Sequence, residues 1–481
     1  MLLKNNLQPA PAVKVLINIG ATLDIPTGFY LTGSHGESVL LGGLGMLTGM
    51  TGKGNSFKST IMHYMTLSAA DRLCSTAETS IGTYDTESNI HENRLLKLTK
   101  RFASFKDKDI FQEGIWTVTD KTVYYGNEWF EKLKEFLKFK KENSNKLLRV
   151  TPFMDRDKQP LKIVLPTFSQ VDSFSDFETS DVAKIQEENE LGDSGGNTIH
   201  MRQGLAKLRF LMEIPTLAGG NNHFVLLSAH LGNDMMIAAG PYAAPPEKKL
   251  QHMKVGEKIK GVTDKFFFLT NTFWKVTSTS PLINQGTKGC EYPRDSVDSE
   301  AGDKDLFEVT MILLRNKAGP SGNTITLVVS QTEGVLPSLT EFHYLKDNDR
   351  FGISGTLQHY SLDLLPDVKL SRTTVRTKID ENPQLQRALN ITAELSQMHQ
   401  YYRDLKDVLC TPKELYEGIK NQGYDWDFIL SSTRGWWTVD NDSHPLHFLS
   451  TLDLVKMSRG LYHPYWMEED KKTIKKEFRK S

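Results

Sequence analysis

Cysteine is scarce in this chain of 481 residues, which holds only Cys74, Cys290 and Cys410. They are odd in number and form no C-x-x-C pair, which argues against a disulfide framework or a cysteine zinc site and for a reducing compartment. Net charge is scarce as well, at −1. No overall basic field advertises nucleic acid, so any such binding has to come from local loops and partner subunits. No apolar run approaches ~18 residues, so no membrane-spanning helix is expected. Met1 to Val13 lacks a signal-peptide pattern, and no internal repeat stands out. The expectation is a soluble cytoplasmic protein, long enough to bury a large core and to hold more than one domain.

What is present begins with Gly52-Lys53-Gly54-Asn55-Ser56-Phe57-Lys58-Ser59-Thr60. An apolar, glycine-rich run (Val39 to Met50) precedes it and a helix-compatible segment, Ile61 to Ala70, follows. Strand, loop and helix in that order are what a phosphate-binding loop needs. Glycines let backbone N–H groups converge on phosphate oxygens, Lys58 would reach the β- and γ-phosphates, and the Ser59 hydroxyl would hold Mg²⁺. The pattern G-x-x-x-x-G-K-[ST] is met except at its second glycine, where Phe57 stands.

Four further apolar runs end in polar residues. Ile81 to Tyr84 leads to Asp85-Thr86-Glu87, placing a carboxylate to polarise a water that attacks a γ-phosphate. Thr167 to Val171 leads to Asp172-Ser173, with Pro166 separating this strand from the apolar Ile163-Val164-Leu165. Asp172 reads as the acid behind the Mg²⁺ water shell. Phe224 to Ser228 delivers Ala229-His230, and Leu306 to Leu314 delivers Arg315-Asn316-Lys317. Open α/β sheets gather ligand sites along their carboxyl edge, and these strand tips are grouped there. Bland readings stand beside each. Glu87 could cap the next helix, His230 could be an interior histidine, and Arg315 and Lys317 could be solvated charges.

The order of phosphate loop, D-x-E, apolar strand with Asp-Ser, strand with a polar tip, and basic-Asn-Lys resembles the RecA-type recombinases. The Ser-Phe-Lys-Ser loop is similar to that of the UvsX recombinases of tailed bacteriophages. Glu190-Leu191-Gly192-Asp193-Ser194 with Met201 resembles the first DNA-binding loop of RecA, and Thr332 to Val335 the turn that closes its core. The likeness covers roughly residues 40 to 350. It implies an α/β fold, a RecA-like ATPase core with a mostly parallel sheet plus a smaller α-rich C-terminal domain. It also implies a DNA-dependent ATPase using ATP and Mg²⁺ and forming filaments on single-stranded DNA, with double-stranded DNA as the exchange partner. Single-strand-binding and mediator proteins would be accessory partners. By this resemblance Gly52, Gly54, Asn55, Ser56, Phe57, Lys58, Ser59 and Thr60 bind the nucleotide, Ser59 and Asp172 hold the metal, and Glu87 is the base. His230 senses the γ-phosphate, while Arg315 and Lys317 reach the neighbouring subunit's ATP. Arg94 stands where the family stacks a tyrosine on adenine, and a guanidinium plane can also stack on a base.

The division expected is a lead-in over 1–36, an ATPase core over 37–354 and an accessory domain over 355–481. Trp129 to Phe139 has helical apolar spacing, with 140–156 a polar loop after it, together a surface insertion. A helix face is expected from Met201, Leu205, Leu208, Leu211 and Met212. DNA contact falls to His200, Met201 and Arg202 in one loop, and in a second, mobile loop (231–262) to its lysines with Met235, Met236 and Met253. A further loop is expected over 277–305. Beyond 355, Thr411-Pro412-Lys413-Glu414 is a capping box with Pro at the first helical position, and Gly423 suits the helix stop. Asp425 to Ser431 reads as a second helix and Gly435 to Val439 as a strand, a weak winged-helix pattern. The basic tail from Lys471 to Lys480 reads as solvated.

Two rival functions share the core. A ring-forming helicase motor would need a sizeable N-terminal domain, for which about 36 residues leave no room. A partner-regulating ATPase would bind ATP without DNA-stimulated turnover.

Overall fold

Runs rich in β-branched and aromatic residues, punctuated by glycine, proline and asparagine, form the strands. The computed structural model describes residues 16–75, 78–154, 158–188, 199–233, 248–294, 304–356 and 359–467. A hairpin of β1 (Pro26–Thr32) and β2 (Ser38–Gly42) comes first. Then come β3 (Leu47–Gly52), β4 (Ile81–Asp85) and β5 (Trp116–Asp120). A second hairpin, β6 (Leu148–Met154) with β7 (Pro160–Val164), precedes β8 (Thr167–Asp172). The series continues with β9 (His223–Asn233), β10 (Glu257–Ile259) and β11 (Thr272–Pro281). It closes with β12 (Leu306–Asn316), β13 (Thr324–Ser330) and β14 (Gly334–Val335).

Ten of these strands make the central sheet, in the order β14-β13-β12-β11-β3-β9-β8-β4-β5, with β10 added to β9. From β11 to β5 every neighbour is parallel. From β11 outward to β14, and from β9 to β10, pairing is antiparallel. β3 and β8 are buried at every position, as strands covered on both faces must be. The chain is thus an α/β protein with a large, mostly parallel sheet flanked by helices.

The helix Lys58–Cys74 is buried almost all round, including Ile61, Met65, Leu67 and Leu73. Tyr64 and Ser68 each donate a hydrogen bond to the Ile19 carbonyl, both at 2.7 Å. At the far end, the Val439 amide and the Thr438 hydroxyl donate to the Leu73 carbonyl. The C-terminal part of the chain is therefore fastened to this central helix. Apolar residues from both sides of residue 355, such as Phe342 and Leu345 with Leu385 and Leu389, share one cluster.

Several local expectations are corrected. Lys140 is not in a loop: it lies in the last turn of the helix Gly126–Glu142, is 2 % exposed, and donates to Thr167 Oγ1 at 2.8 Å. Residues beyond it form the β6–β7 hairpin, with prolines at its edge positions. In the helix Ile199–Gly219 the buried face is Lys207, Phe210, Leu211, Ile214 and Ala218, while Met201, Leu205 and Met212 are more than half exposed. Phe210 sets that face by packing on Phe130, Phe174 and Phe177 at 4.7, 5.2 and 5.4 Å. Part of the expected 231–262 loop is the strand β10, and β11 extends into the expected 277–305 loop as far as Pro281.

In the C-terminal part the capping box at Thr411 and Glu414 forms as expected, and Gly423 takes φ +82°. A helix runs Trp426–Ser432. The strand after it is Thr433–Arg434, paired with His447–Phe448, rather than Gly435 to Val439. The reason is that Thr438 and Val439 are engaged with the Leu73 carbonyl instead of a ladder.

Candidate functional site

The parallel register brings the polar strand tips together. Gly52 at the end of β3 is level with His230 on β9, and Asp172 at the end of β8 is level with Asp85 on β4. Four of the five sequence-marked tips therefore lie on one edge. The fifth does not. β12 runs antiparallel to β11, which sets Arg315 level with Phe273 and, across β11, with Gly49. The Lys317 amide donates to the Asn271 carbonyl, and the Asn271 amide to that of Leu47. Lys317 is thus level with the start of β3, about 16 Å along the strand from Gly52. Grouping it on the carboxyl edge is corrected by strand direction.

The 52–60 segment joins the end of β3 to the start of the helix Lys58–Cys74. Asn55 and Phe57 take φ +53° and +61° in it, both left-handed. A left-handed phenylalanine is disfavoured by about 1–3 kcal/mol. Its ring lies 5.1 Å from that of Phe307, a contact of the kind worth about 0.5–1.5 kcal/mol, which offsets part of that cost. Gly52 is required by space, because a Cβ there would sit 2.7 Å from Ser56 Oγ and 3.0 Å from Val276 Cβ. Gly54 has no such neighbour within 4 Å.

The helix starts at Lys58 and its N-cap, Phe57, gives no side-chain hydrogen bond, so the amides of Lys58, Ser59 and Thr60 face the loop uncapped. Lys58 is 7 % exposed and donates to the Lys53 carbonyl at 2.8 Å, beside the Ser56 hydroxyl at 2.7 Å. Burial lowers its pKa, and the charges of Asp172 and Glu87 oppose that shift. Both carboxylates are thus within electrostatic reach of the lysine. Arg94 donates to Thr60 Oγ1 at 3.1 Å, which brings it to the loop's end.

The two acids of Asp85-Thr86-Glu87 part company. Asp85 is buried and accepts from the amides of Glu87, Asn89 and Ile90 at 3.0, 2.7 and 2.7 Å, so it shapes the turn. Glu87 points outward, where Oε1 lies 3.0 Å from His230 Nε2 and Oε2 accepts from Asn89. Thr86 ties this turn to the next strand: its amide donates to the Asp172 carbonyl and its hydroxyl to that of Ser173. Asp172 accepts a hydrogen bond from the Ser228 hydroxyl.

Two residues escape a reading of the sequence. Asp176 approaches His230 Nε2 to 3.5 Å and is held by the Ser173 hydroxyl at 2.8 Å. Its ligand atom and those of Glu87 and His230 lie within 4.8 Å of one another, so the three could share a cation. Lys207, 1 % exposed, donates to the carbonyls of Ser175 and Gly261 at 2.5 and 2.9 Å. Burial pushes its amine down to about 8. Ser175 in turn accepts from the His230 amide at 2.9 Å and donates to the Lys260 carbonyl. Asp176 was hidden in a short 3-10 turn, and only an isolated lysine among apolar helix positions could have marked Lys207.

Of the expected DNA-contact residues, Met201, Arg202, Lys248, Lys254, Lys258 and Lys260 are exposed. Lys249 pairs with Asp264 at 3.1 Å. Met253 is 2 % exposed in the apolar core, which removes it as a wedge between bases. Glu190 to Ser194, Met235, Met236 and the basic tail lie outside the described residues. At the opposite edge, Arg315 lies 5.8 Å from the Phe268 ring and Lys317 Nζ 3.5 Å from the Leu269 carbonyl. Burial, then the Arg315 charge, lower the pKa of Lys317.

No protein-family model matches the chain, and no curated protein matches it either. What fold and geometry define is an α/β protein whose parallel sheet gathers Lys58, Asp172, Glu87, Asp176 and His230 at its carboxyl edge. Among the described residues no helix is long and apolar enough to cross a membrane.

Proposed function

We propose that the chain is an ATP-dependent DNA recombinase of RecA type that assembles head to tail on single-stranded DNA. The observation that carries this reading is the convergence of Lys58, Asp172, Glu87 and His230 at one sheet edge, with Glu87 and His230 3.0 Å apart. Lys58 and the uncapped helix amides would neutralise the phosphates. Ser59 and Asp172 are the oxygen donors that would hold Mg²⁺, which would supply positive charge to neutralise the phosphates. Glu87 would take the proton of the attacking water, and its bond to His230 links the base to the strand that leads into the lysine-bearing loop.

Arg315 and Lys317 support the assembly part of the reading. They are too far from Gly52 of their own chain to serve its phosphates, so a charge contribution from them goes to a second copy. The test is ATP hydrolysis with and without single-stranded DNA, paired with negative-stain imaging in ATPγS. DNA-stimulated turnover and helical filaments are expected. Rings would favour the helicase reading, and ATP binding without DNA stimulation the partner-regulating one.

A further inference from the structure

The antiparallel half of the sheet carries a second cluster of ligand atoms, apart from the one around His230. Glu308 lies on β12, and His343 and Asp347 lie on the helix Pro337–Asp347. That helix is tied to β13, where the Val328 amide donates to Thr340 Oγ1 at 3.0 Å. The i, i+4 spacing puts both helix residues on one face. Along β12, Phe307 and Val309 pack into the cluster around the helix Lys58–Cys74, whereas Leu306 joins Val328 and Phe342 on the other face. Strand alternation sets Glu308 on that other face. β9, which carries His230, is three strands away in the sheet, about 14 Å.

The imidazole is the fixed member of the cluster. His343 is 6 % exposed, and its Nδ1 lies 2.9 Å from the hydroxyl of Tyr292, itself 1 % exposed. Its Nε2 faces the two carboxylates, 3.4 Å from Asp347 Oδ2 and 3.9 Å from Glu308 Oε1. Even so, Nε2 is buried without a hydrogen-bond partner among the described residues. At 3.4 Å a well-aimed N–H would bond to Asp347, so that oxygen lies to one side of the ring-nitrogen axis. Ligands that share an ion are arranged in this way, because the ion lies on the axis and the next ligand beside it. In a tetrahedral site with bonds of about 2.0–2.2 Å, ligand atoms are about 3.3–3.6 Å apart. Asp347 meets that spacing, and the longer, half-buried Glu308 has only a small shift to make.

The charges also call for a cation. Neither carboxylate has another ion-pair partner among the described residues, and Lys346 on the same helix pairs with Glu291 at 3.0 Å. When the ring donates Nδ1–H to the Tyr292 oxygen, the Nε2 lone pair is left for a metal, the usual arrangement of a ligating histidine. One imidazole nitrogen and two carboxylate oxygens suit Zn²⁺ and related transition ions. Asp347 is exposed, so an entering ion meets the acids first and reaches Nε2 between them.

We propose that Glu308, His343 and Asp347 bind a divalent transition-metal ion of the Zn²⁺ kind, which clamps β12 to the helix Pro337–Asp347. The test uses the full chain with His230→Gln, which removes the other cluster, stripped by a chelator and titrated with Zn²⁺ by calorimetry. One saturable site per chain is expected. Asp347→Asn and Glu308→Gln, both at positions open to solvent, should each weaken it about tenfold or more. Tyr292→Phe, which frees the ring without touching the ion, should weaken it about 10–100-fold. In the chain with all three ligands intact, Zn²⁺ should also slow hydrogen exchange over 337–347, a readout that needs no folded ligand variant. Absence of saturable binding would make the trio an imidazolium paired with two carboxylates and overturn the proposal. Binding undiminished by both Asp347→Asn and Glu308→Gln, or unchanged exchange over 337–347, would overturn it as well.

Discussion

The parallel and antiparallel halves of the central sheet use the same sequence device to opposite ends. In the parallel half, an apolar run followed by a polar residue delivers that residue to the carboxyl edge, as Asp172, Glu87 and His230 show. In the antiparallel half the same device on β12 delivers Arg315 and Lys317 to the other edge. A strand end therefore has no functional meaning until its direction is known, and direction is set by long-range pairing.

The sharpest way to break this comparison is Lys58→Ala, which we expect to abolish ATP hydrolysis while leaving the fold intact. Phosphate release within a few-fold of the parent would remove the phosphate-loop assignment. Next in size is the double change Arg315→Ala with Lys317→Ala. Charges supplied across an interface contribute about 10³–10⁵-fold in phosphoryl transfer, so DNA-stimulated turnover should drop steeply while ATP binding persists. Mixing this variant with Lys58→Ala should restore part of the rate, because some interfaces join an intact loop to intact basic residues. A double variant with full activity would show that the far edge plays no such part.

Glu87→Gln should slow hydrolysis about 10²-fold or more with nucleotide affinity nearly unchanged. Collapse of nucleotide affinity, read by fluorescence titration, would instead make Glu87 a structural partner of His230.

The far edge of the parallel half offers a test by pH. Unfolded lysine keeps its proton to about pH 10.4. Burial against Thr167 pushes folded Lys140 down to about 7. Between those values the unfolded chain binds the extra proton, so this residue makes stability rise with pH across that window. Lys140→Met should flatten the rise, measured by urea unfolding at pH 7 and 9. Parallel curves for parent and variant would refute the buried-lysine account.

The smallest effect is expected at Phe57. Phe57→Gly removes a disfavoured backbone conformation and the contact with Phe307 together, so stability should stay within about 1 kcal/mol of the parent. Phe57→Val keeps the left-handed demand on a β-branched residue and loses the ring, and should fall by more than about 2 kcal/mol. Equal losses would mean that the ring contact alone decides.

Much of the parallel half was legible because its signals are local. The β8 strand after Pro166, the helix after Lys58 and the capping box at Thr411 depend on neighbours in sequence, and all three form. What was not legible depends on partners far along the chain. Phe210, through Phe130 and Phe174, turns the helix Ile199–Gly219 so that Met201 and Leu205 face out. Leu73 draws Thr438 and Val439 away from the expected strand. Asp176 joins His230 only because β8 and β9 are neighbours. Spacing alone could not separate Asp85 from Glu87, since both are acids on one turn and only their hydrogen bonds differ.

The reversal of β12 has an arithmetic consequence on the proposed reading. A contact that joins the carboxyl edge of one copy to the far edge of the next is heterologous, and when it does not close it grows as an open polar series. In such a series of n copies only n − 1 nucleotide sites are completed by a neighbour. Turnover per chain would then climb with length toward a plateau, and a capped or short assembly would be disproportionately idle. Anything that severs a long series would silence one site at each cut.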